Sequence, residues 1–332
     1  MRAFDTLDFL MGAVEAETIQ RLRPPPSDAV LPVVLVTGFL GAGKTTLMRR
    51  LVSTNHGLKL AAVVNDMANL NLDAALVAQA GADLGVQTLA LANGCVCCSR
   101  SGAVARTLTD IQAWAALPDY VVLEASGVAD PATLAGVAHG MSGVRLEAVV
   151  AVVDADRLDL KANSDATRLV ARGIGAADLI LLNKTDLVTR SRAAALEQVL
   201  LDLAPKAAIL RTSHCAVPMS LIFAGESRDD AQLLDADVED DRFATLELRQ
   251  RRALPRQQVA ALIASAPAEV YRAKGVLRLT DTEVPELLQA VGRRWAWTAA
   301  DTGGEFVGRL VVISSADAGA VASHFAPSFF AS

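Results

Sequence analysis

Between positions 31 and 212, short runs of Val, Ile, Leu and Ala recur with almost no alternation of polar and apolar residues. Such runs belong to strands covered on both faces. The pattern predicts strands at 32–37, 60–65, 86–90, 120–124, 148–153, 179–183 and, shorter, 209–212. Helical stretches separate most of them, for example 44–53, 101–115 and 191–203. Repeated strand–helix–strand units imply right-handed crossovers and one mainly parallel sheet, an α/β fold.

The pattern changes on either side of this block. Leu7, Leu10, Met11, Val14 and Leu22 fall at roughly helical spacing, and Pro24-Pro25-Pro26 ends the run. Segment 226–241 holds eight acids and few large apolar residues, which reads as a solvated linker. Beyond it the expected order is strand (242–249), helix (255–266), three strands (269–280, 295–299, 307–314) and helix (316–325). That order suits a small α+β domain with an antiparallel sheet. The expected organisation is an N-terminal helical extension (1–30), an α/β domain (31–225), an acidic linker (226–241) and an α+β domain (242–332).

Composition narrows the function classes. Hydrophobic residues make up 52% of the 332 positions, enough for sizeable cores, and the formal net charge of −6 argues against a nucleic-acid surface. No apolar run reaches the roughly eighteen residues of a membrane span, so no membrane association is expected. Asp5, Asp8, Glu15 and Glu17 make the start unlike a secretion signal. Three of the four cysteines crowd into positions 95, 97 and 98, which is no disulfide framework. The expected compartment is a reducing cytoplasm.

Chemistry enters at the end of the first predicted strand. Gly38-Phe39-Leu40-Gly41-Ala42-Gly43-Lys44-Thr45-Thr46 matches G-x-x-x-x-G-K-[ST], follows a strand and opens a helix. Glycines let backbone N–H groups turn toward phosphate oxygens, and the helix N-terminus adds partial positive charge. Lys44 is expected to reach the β- and γ-phosphates, and the Thr45 hydroxyl to meet Mg²⁺. The first domain is thus expected to be a P-loop NTPase.

Two further strand ends carry matching chemistry. Asn183-Lys184-Thr185-Asp186 is N-K-x-D, in which the Asp186 carboxylate accepts from the ring N–H and exocyclic amine of guanine, a donor pair adenine lacks. Asn183 is expected to bond neighbouring loops and the base, and the Lys184 stem to lie along the ring. The expected nucleotide is therefore GTP, with GDP as product. Glu124, in Glu124-Ala125-Ser126-Gly127, can hold Mg²⁺ through water, and the Gly127 N–H can meet a γ-phosphate.

Asn93-Gly94-Cys95-Val96-Cys97-Cys98-Ser99 precedes a predicted helix, whose N-terminus lowers thiol pKa values. Three thiolates within four residues can converge on a borderline cation, Zn²⁺ first and Co²⁺ second. Redox and buried structural cysteines are the alternative readings. Water, Glu124, His214, Cys215 or a client protein are the candidates for a fourth ligand. His214 and Cys215 can equally pack or cap near the base.

Together these residues resemble the CobW-type metallochaperone GTPases, relatives of the urease and hydrogenase nickel-insertion GTPases. The matching pieces, in the family's order, are the phosphate loop, Asn65-Asp66, Gly94-Cys95-Val96-Cys97-Cys98, the run from Glu124 to Pro131, and Asn183-Lys184-Thr185-Asp186. Arg272-Ala273-Lys274-Gly275 resembles the signature of the family's C-terminal domain. The resemblance implies GTP hydrolysis coupled to metal handling, with Asp66 and Glu124 around Mg²⁺ and the γ-phosphate and with Cys95, Cys97 and Cys98 holding zinc or cobalt. It implies a client metalloenzyme as partner and allows a homodimer. A γ-phosphate-ordered switch at 65–73 is the expected gate of the metal site, and unaided hydrolysis is expected to be slow because no arginine finger can be assigned. Two departures stand out. Asn69 occupies a position that is acidic in many relatives, and the linker lacks the histidine-rich tract many of them carry, so metal buffering is not expected.

Overall fold

The computed structural model describes residues 30–54, 58–64, 77–79, 81, 86–90, 100–125, 131–158, 165–223, 243–300, 307–315 and 317–331. The predicted N-terminal helix and acidic linker lie outside them.

Seven strands form one sheet in the order β3-β2-β4-β1-β5-β6-β7. They are β1 (Leu31–Gly38), β2 (Leu60–Val64), β3 (Gln87–Ala90), β4 (Tyr120–Glu124), β5 (Val144–Asp154), β6 (Leu179–Asn183) and β7 (Ala208–Arg211). Every pairing is parallel. The helices are α1 (Lys44–Ser53), α2 (Arg100–Gln112), α3 (Pro131–Gly140), α4 (Asp165–Gly175) and α5 (Arg190–Leu203), followed by the short α6 (Met219–Ile222).

Strand β1 shows why the apolar runs do not alternate. Its Val34 and Val36 pack with Leu47, Met48, Leu51 and Val52 of α1 on one face. Its Leu31, Val33 and Leu35 pack with Val104, Leu108 and Ile111 of α2 and Leu134 of α3 on the other. Helix α5 covers β5 and β6 through Ala193 and Leu200. Both faces of the sheet are therefore dry, as parallel sheets require.

The second sheet is antiparallel, with order β11-β10-β9-β12-β8-β13. It comprises β8 (Ala244–Gln250), β9 (Val270–Leu277), β10 (Glu286–Val291), β11 (Arg294–Ala299), β12 (Arg309–Ser314) and β13 (Phe329–Ala331), with α7 (Arg256–Ala264) and α8 (Ala318–Phe325). Val259 and Ile263 of α7 and Val321 and Phe325 of α8 close its core. Sequence reading missed two of these strands. Residues 286–291 lack strong β-branched enrichment and become β10 by pairing on both sides, with β9 and β11. β13 is three residues long and exists through its pairing with β8.

Strand β5 also begins earlier than the predicted 148–153, running through the charged Arg145 and Glu147. The second sheet explains this extension. Buried Glu147 receives Arg272 Nη2 of β9 at 3.2 Å and Arg145 Nε at 3.1 Å. Arg272 Nη1 donates to the Leu221 carbonyl at 3.1 Å. Beside this cluster, Arg294 Nε meets Asp178 at 2.7 Å. The Gly292-Arg293 turn reaches the start of β7, where Arg293 N donates to Lys206 O at 2.7 Å. Asp178 and Lys206 lie just before the starts of β6 and β7, and Glu147 lies in the N-terminal part of β5, so the second domain docks on the N-terminal edge of the parallel sheet.

Candidate nucleotide-binding site

The opposite edge of the parallel sheet gathers the predicted chemistry. In a parallel sheet the strand C-termini share one rim, and helix N-termini face it. β1 ends at Gly38, β4 at Glu124, β5 at Asp154 and β6 at Asn183. Register places Val36 beside Glu124, Gly38 beside Val152 and Asp154 beside Asn183.

The phosphate loop is shaped by three glycines with positive φ: Gly38 (145°), Gly41 (75°) and Gly43 (117°). Gly38 and Gly43 also lack room for a side chain. A Cβ on Gly38 would overlap Val152 O, and one on Gly43 would stand 2.5 Å from Asn183 Nδ2 and 3.1 Å from Cys215 Sγ. Gly43 caps α1, whose first residue is Lys44. The lysine is buried, with Nζ 3.4 Å from the Phe39 carbonyl and 3.8 Å from Glu124 Oε1. Thr45 is half-buried and Thr46 exposed at the same helix start. Thus Gly38, Gly41, Ala42, Gly43, Lys44, Thr45, Thr46 and Glu124 are brought together.

Asn183, Lys184 and Asp186 join them from β6. Asn183 is buried, and both ends of its amide are engaged by protein. Nδ2 donates to Ala42 O at 2.9 Å, and Oδ1 accepts from Cys215 N at 3.0 Å. Lys184 adopts a left-handed φ of 62° and extends its ammonium to Gly41 O at 2.7 Å and Asp154 Oδ2 at 2.5 Å. Asp186 sits exposed on the one-turn 3-10 helix Thr185–Leu187. The turn is anchored through the Thr185 hydroxyl and N–H, both donating to Thr212 O.

Cys215 packs under the phosphate loop. Its side chain is fully buried, and its Sγ lies 3.4 Å from Gly43 O. Burial pushes the thiol up to about 12, against the opposing charges of Arg50 and Lys184, so it stays protonated under the phosphate loop. His214 beside it is exposed. Asp66, Gly127 and the cysteines at 95, 97 and 98 lie outside the described residues. Among the described residues, no three His, Cys, Asp or Glu side chains gather to hold a metal ion.

Two contributors escaped sequence reading. Asp154 follows the predicted strand 148–153, and only β5–β6 pairing puts it against Lys184. Arg192, in α5, donates to the carbonyls of Ala155 and Asp156 at 3.2 and 3.1 Å and so fixes the turn that follows Asp154. An acid closing a buried strand was the available signal for the first; the second had none.

A glycine loop between a central parallel strand and a helix, with an acidic strand end beside it and a base-type loop tied to it, defines a P-loop NTPase fold. Residues 32–211 match the model of the CobW/HypB/UreG nucleotide-binding domain, and residues 243–327 match that of the cobalamin synthesis protein cobW C-terminal domain. The chain belongs to the CobW/HypB/UreG family. It is 29% identical over 227 residues to the zinc-regulated GTPase metalloprotein activator 1 of Dictyostelium discoideum, covering 58% of this chain and 48% of the relative. It is 33% identical over 201 residues to the zinc chaperone YjiA of Escherichia coli, covering 58% of this chain and 61% of that protein. The matched stretch spans about half to three fifths of these two relatives. Among solved structures, the Zn(II)-bound YjiA GTPase from E. coli superposes with a TM-score of 0.44 at 20% identity, over 90% of this chain and 98% of that one. No helix among the described residues is long and apolar enough to cross a membrane.

Proposed function

We propose that this chain is a GTP-hydrolysing metallochaperone that carries Zn²⁺, with Co²⁺ as the second candidate, on Cys95, Cys97 and Cys98 and delivers it to a client metalloprotein. The observation that carries the nucleotide half is the linkage of the N-K-x-D loop to the phosphate loop, through Asn183 to Ala42 and Lys184 to Gly41. A base-reading loop held at fixed distance from a phosphate cradle is what a site for a guanine nucleotide requires. Asp186 accepts from the guanine N–H and amine. Backbone N–H groups of 41–46 and the α1 N-terminus hold the phosphates.

Lys44 is already poised beside Glu124. On binding, its ammonium exchanges the Phe39 carbonyl for phosphate oxygens and offsets charge developing on the leaving group. The Thr45 hydroxyl and Glu124 carboxylate are hard oxygen donors of the kind Mg²⁺ selects, and Asp66 is a third by resemblance. Mg²⁺ would supply neutralisation of the β- and γ-phosphate charge. The Gly127 N–H is assigned to the γ-phosphate.

The metal half rests on the C-x-C-C thiolates and on family membership, and the similarity to a zinc-regulated GTPase metalloprotein activator and to a zinc chaperone favours zinc. In this reading segment 65–73 orders around the γ-phosphate and closes the thiolate site, and hydrolysis releases the ion. Linkage then requires metal to favour GTP over GDP by the same factor. The test is metal analysis and competition titration of the reduced protein with Mg²⁺-GTP analogue and with GDP, beside a variant in which Cys95, Cys97 and Cys98 are serine. One equivalent of Zn²⁺, tighter with the GTP analogue and lost in the variant, is expected. Equal affinity in both nucleotide states removes the gate, and stoichiometric metal in the triple variant removes the site. No metal at all favours cysteines with a redox or structural role in a nucleotide-regulated interaction module.

A further inference from the structure

The base loop leans on a residue that the nucleotide-binding motifs do not include. Asp154 ends β5 directly opposite Asn183 in the parallel register, and its side chain is 9% exposed. Its Oδ1 accepts from the N–H groups of Asp156 at 2.9 Å and Arg157 at 3.1 Å, which fixes the carboxylate plane. Its Oδ2 faces the Lys184 ammonium at 2.5 Å. The same ammonium reaches Gly41 O at 2.7 Å. Ala155 N donates to Asn183 O at 2.9 Å, so the turn after Asp154 and the base loop move as one piece.

A lysine stem is long and rotamer-rich, and an ammonium next to water has little reason to remain on one neutral carbonyl. A buried, oriented carboxylate changes that. It gives the ammonium a charge-assisted partner and leaves its second donor aimed at the phosphate loop. The stem is then stretched between the two halves of the site before any nucleotide arrives, presenting its methylene face where a purine would stack. Pre-ordering of this kind strengthens binding by lowering the ordering cost.

We propose that Asp154 is a positioning residue for guanine-nucleotide binding: it acts through Lys184, holding the base loop against the phosphate loop so that guanine is bound in preference to adenine. This rests on the GTP reading above. The experiment measures equilibrium affinities of the full chain for GDP and ADP in the wild type, Asp154→Asn, Lys184→Met and the double variant, with thermal melting of each. Asp154→Asn is expected to weaken GDP binding about tenfold or more, the range of a lost hydrogen bond to a charged group, while ADP affinity changes less than about threefold. The double variant is expected to be no weaker than Lys184→Met alone, since one residue acts through the other. Asp154→Ser keeps an oxygen for the two N–H groups but is too short for Lys184, and replaces Asn in the comparison if the latter melts early. Undiminished GDP preference in both Asp154 variants overturns the assignment, as do additive losses in the double variant. A wild type that prefers ADP or neither base overturns the GTP reading itself, and this assignment with it.

Discussion

Single residues are where charge and burial conflict most sharply. Asp178 lies just before β6 and is almost fully buried. Burial raises its carboxyl to about 6, against the pull of Arg294, the Val149 N–H and the charge of His139. A folded-state value above the ordinary 3.8 means that the folded protein binds the proton more tightly. The resulting stabilisation is complete below about pH 4 and is lost as pH rises through 6. Asp178→Asn keeps an acceptor for Val149 and removes the titration, so the wild type should lose up to about 3 kcal/mol between pH 4 and 6 that the variant does not. Urea unfolding at a series of pH values measures this slope. Asp154 has the opposite sign. Burial disfavours its carboxylate, but the bond from Lys184 and the N–H groups of Arg157 and Asp156 outweigh it and hold the carboxyl below the ordinary value. Its stabilisation is present at neutral pH and fades only in acid. Motif residues such as Gly43 and Lys44 were legible in the sequence because phosphate chemistry demands those types at that spacing. Asp178 was not, because nothing local marks an acid as buried.

At the scale of elements, the β10–β11 hairpin shows how a turn becomes a docking part. Gly292 has a φ of 56°, and a Cβ there would stand 2.6 Å from Lys206 O and 2.8 Å from both Ala208 N and Asp178 O. Backbone strain and collision with three main-chain atoms therefore act together. Gly292→Ala is expected to cost at least about 2 kcal/mol, measured by chemical denaturation. A substitution at Gly275 meets the same obstacle within the second sheet, where its Cβ would overlap Arg309 O. The Arg272-Ala273-Lys274-Gly275 signature thus divides its work: Gly275 allows β9 to approach β12, and Arg272 reaches across to the other domain. Strands β1, β2, β4 and β6 were readable as continuous apolar runs. Strand β10 was not, since its identity depends on having neighbours on both sides.

Across the whole molecule, the two functional edges of the parallel sheet are separated by the length of its strands. The phosphate-loop and N-K-x-D residues gather at the C-terminal edge, and the second domain grips the N-terminal edge through Glu147–Arg272 and Asp178–Arg294. Arg272→Met removes one of the two cations on buried Glu147 and should destabilise the protein by about 3 kcal/mol, the range for a broken buried pair. Because Arg272 is remote from the phosphate loop, GDP affinity in the same variant is expected to stay within about twofold of wild type. Thermal melting and equilibrium binding on one preparation check both halves. The sequence by itself determined the α/β class, the glycine loop, the N-K-x-D tetrapeptide and the acidic strand end, since each is a local pattern tied to backbone geometry or side-chain type. Only tertiary structure decided that Cys215 packs under the phosphate loop, that Asp154 meets Lys184 and that Glu147 belongs inside a strand. Each of these depends on a partner distant along the chain (Gly43 for Cys215, Lys184 for Asp154, Arg272 for Glu147), which no local pattern of residues displays.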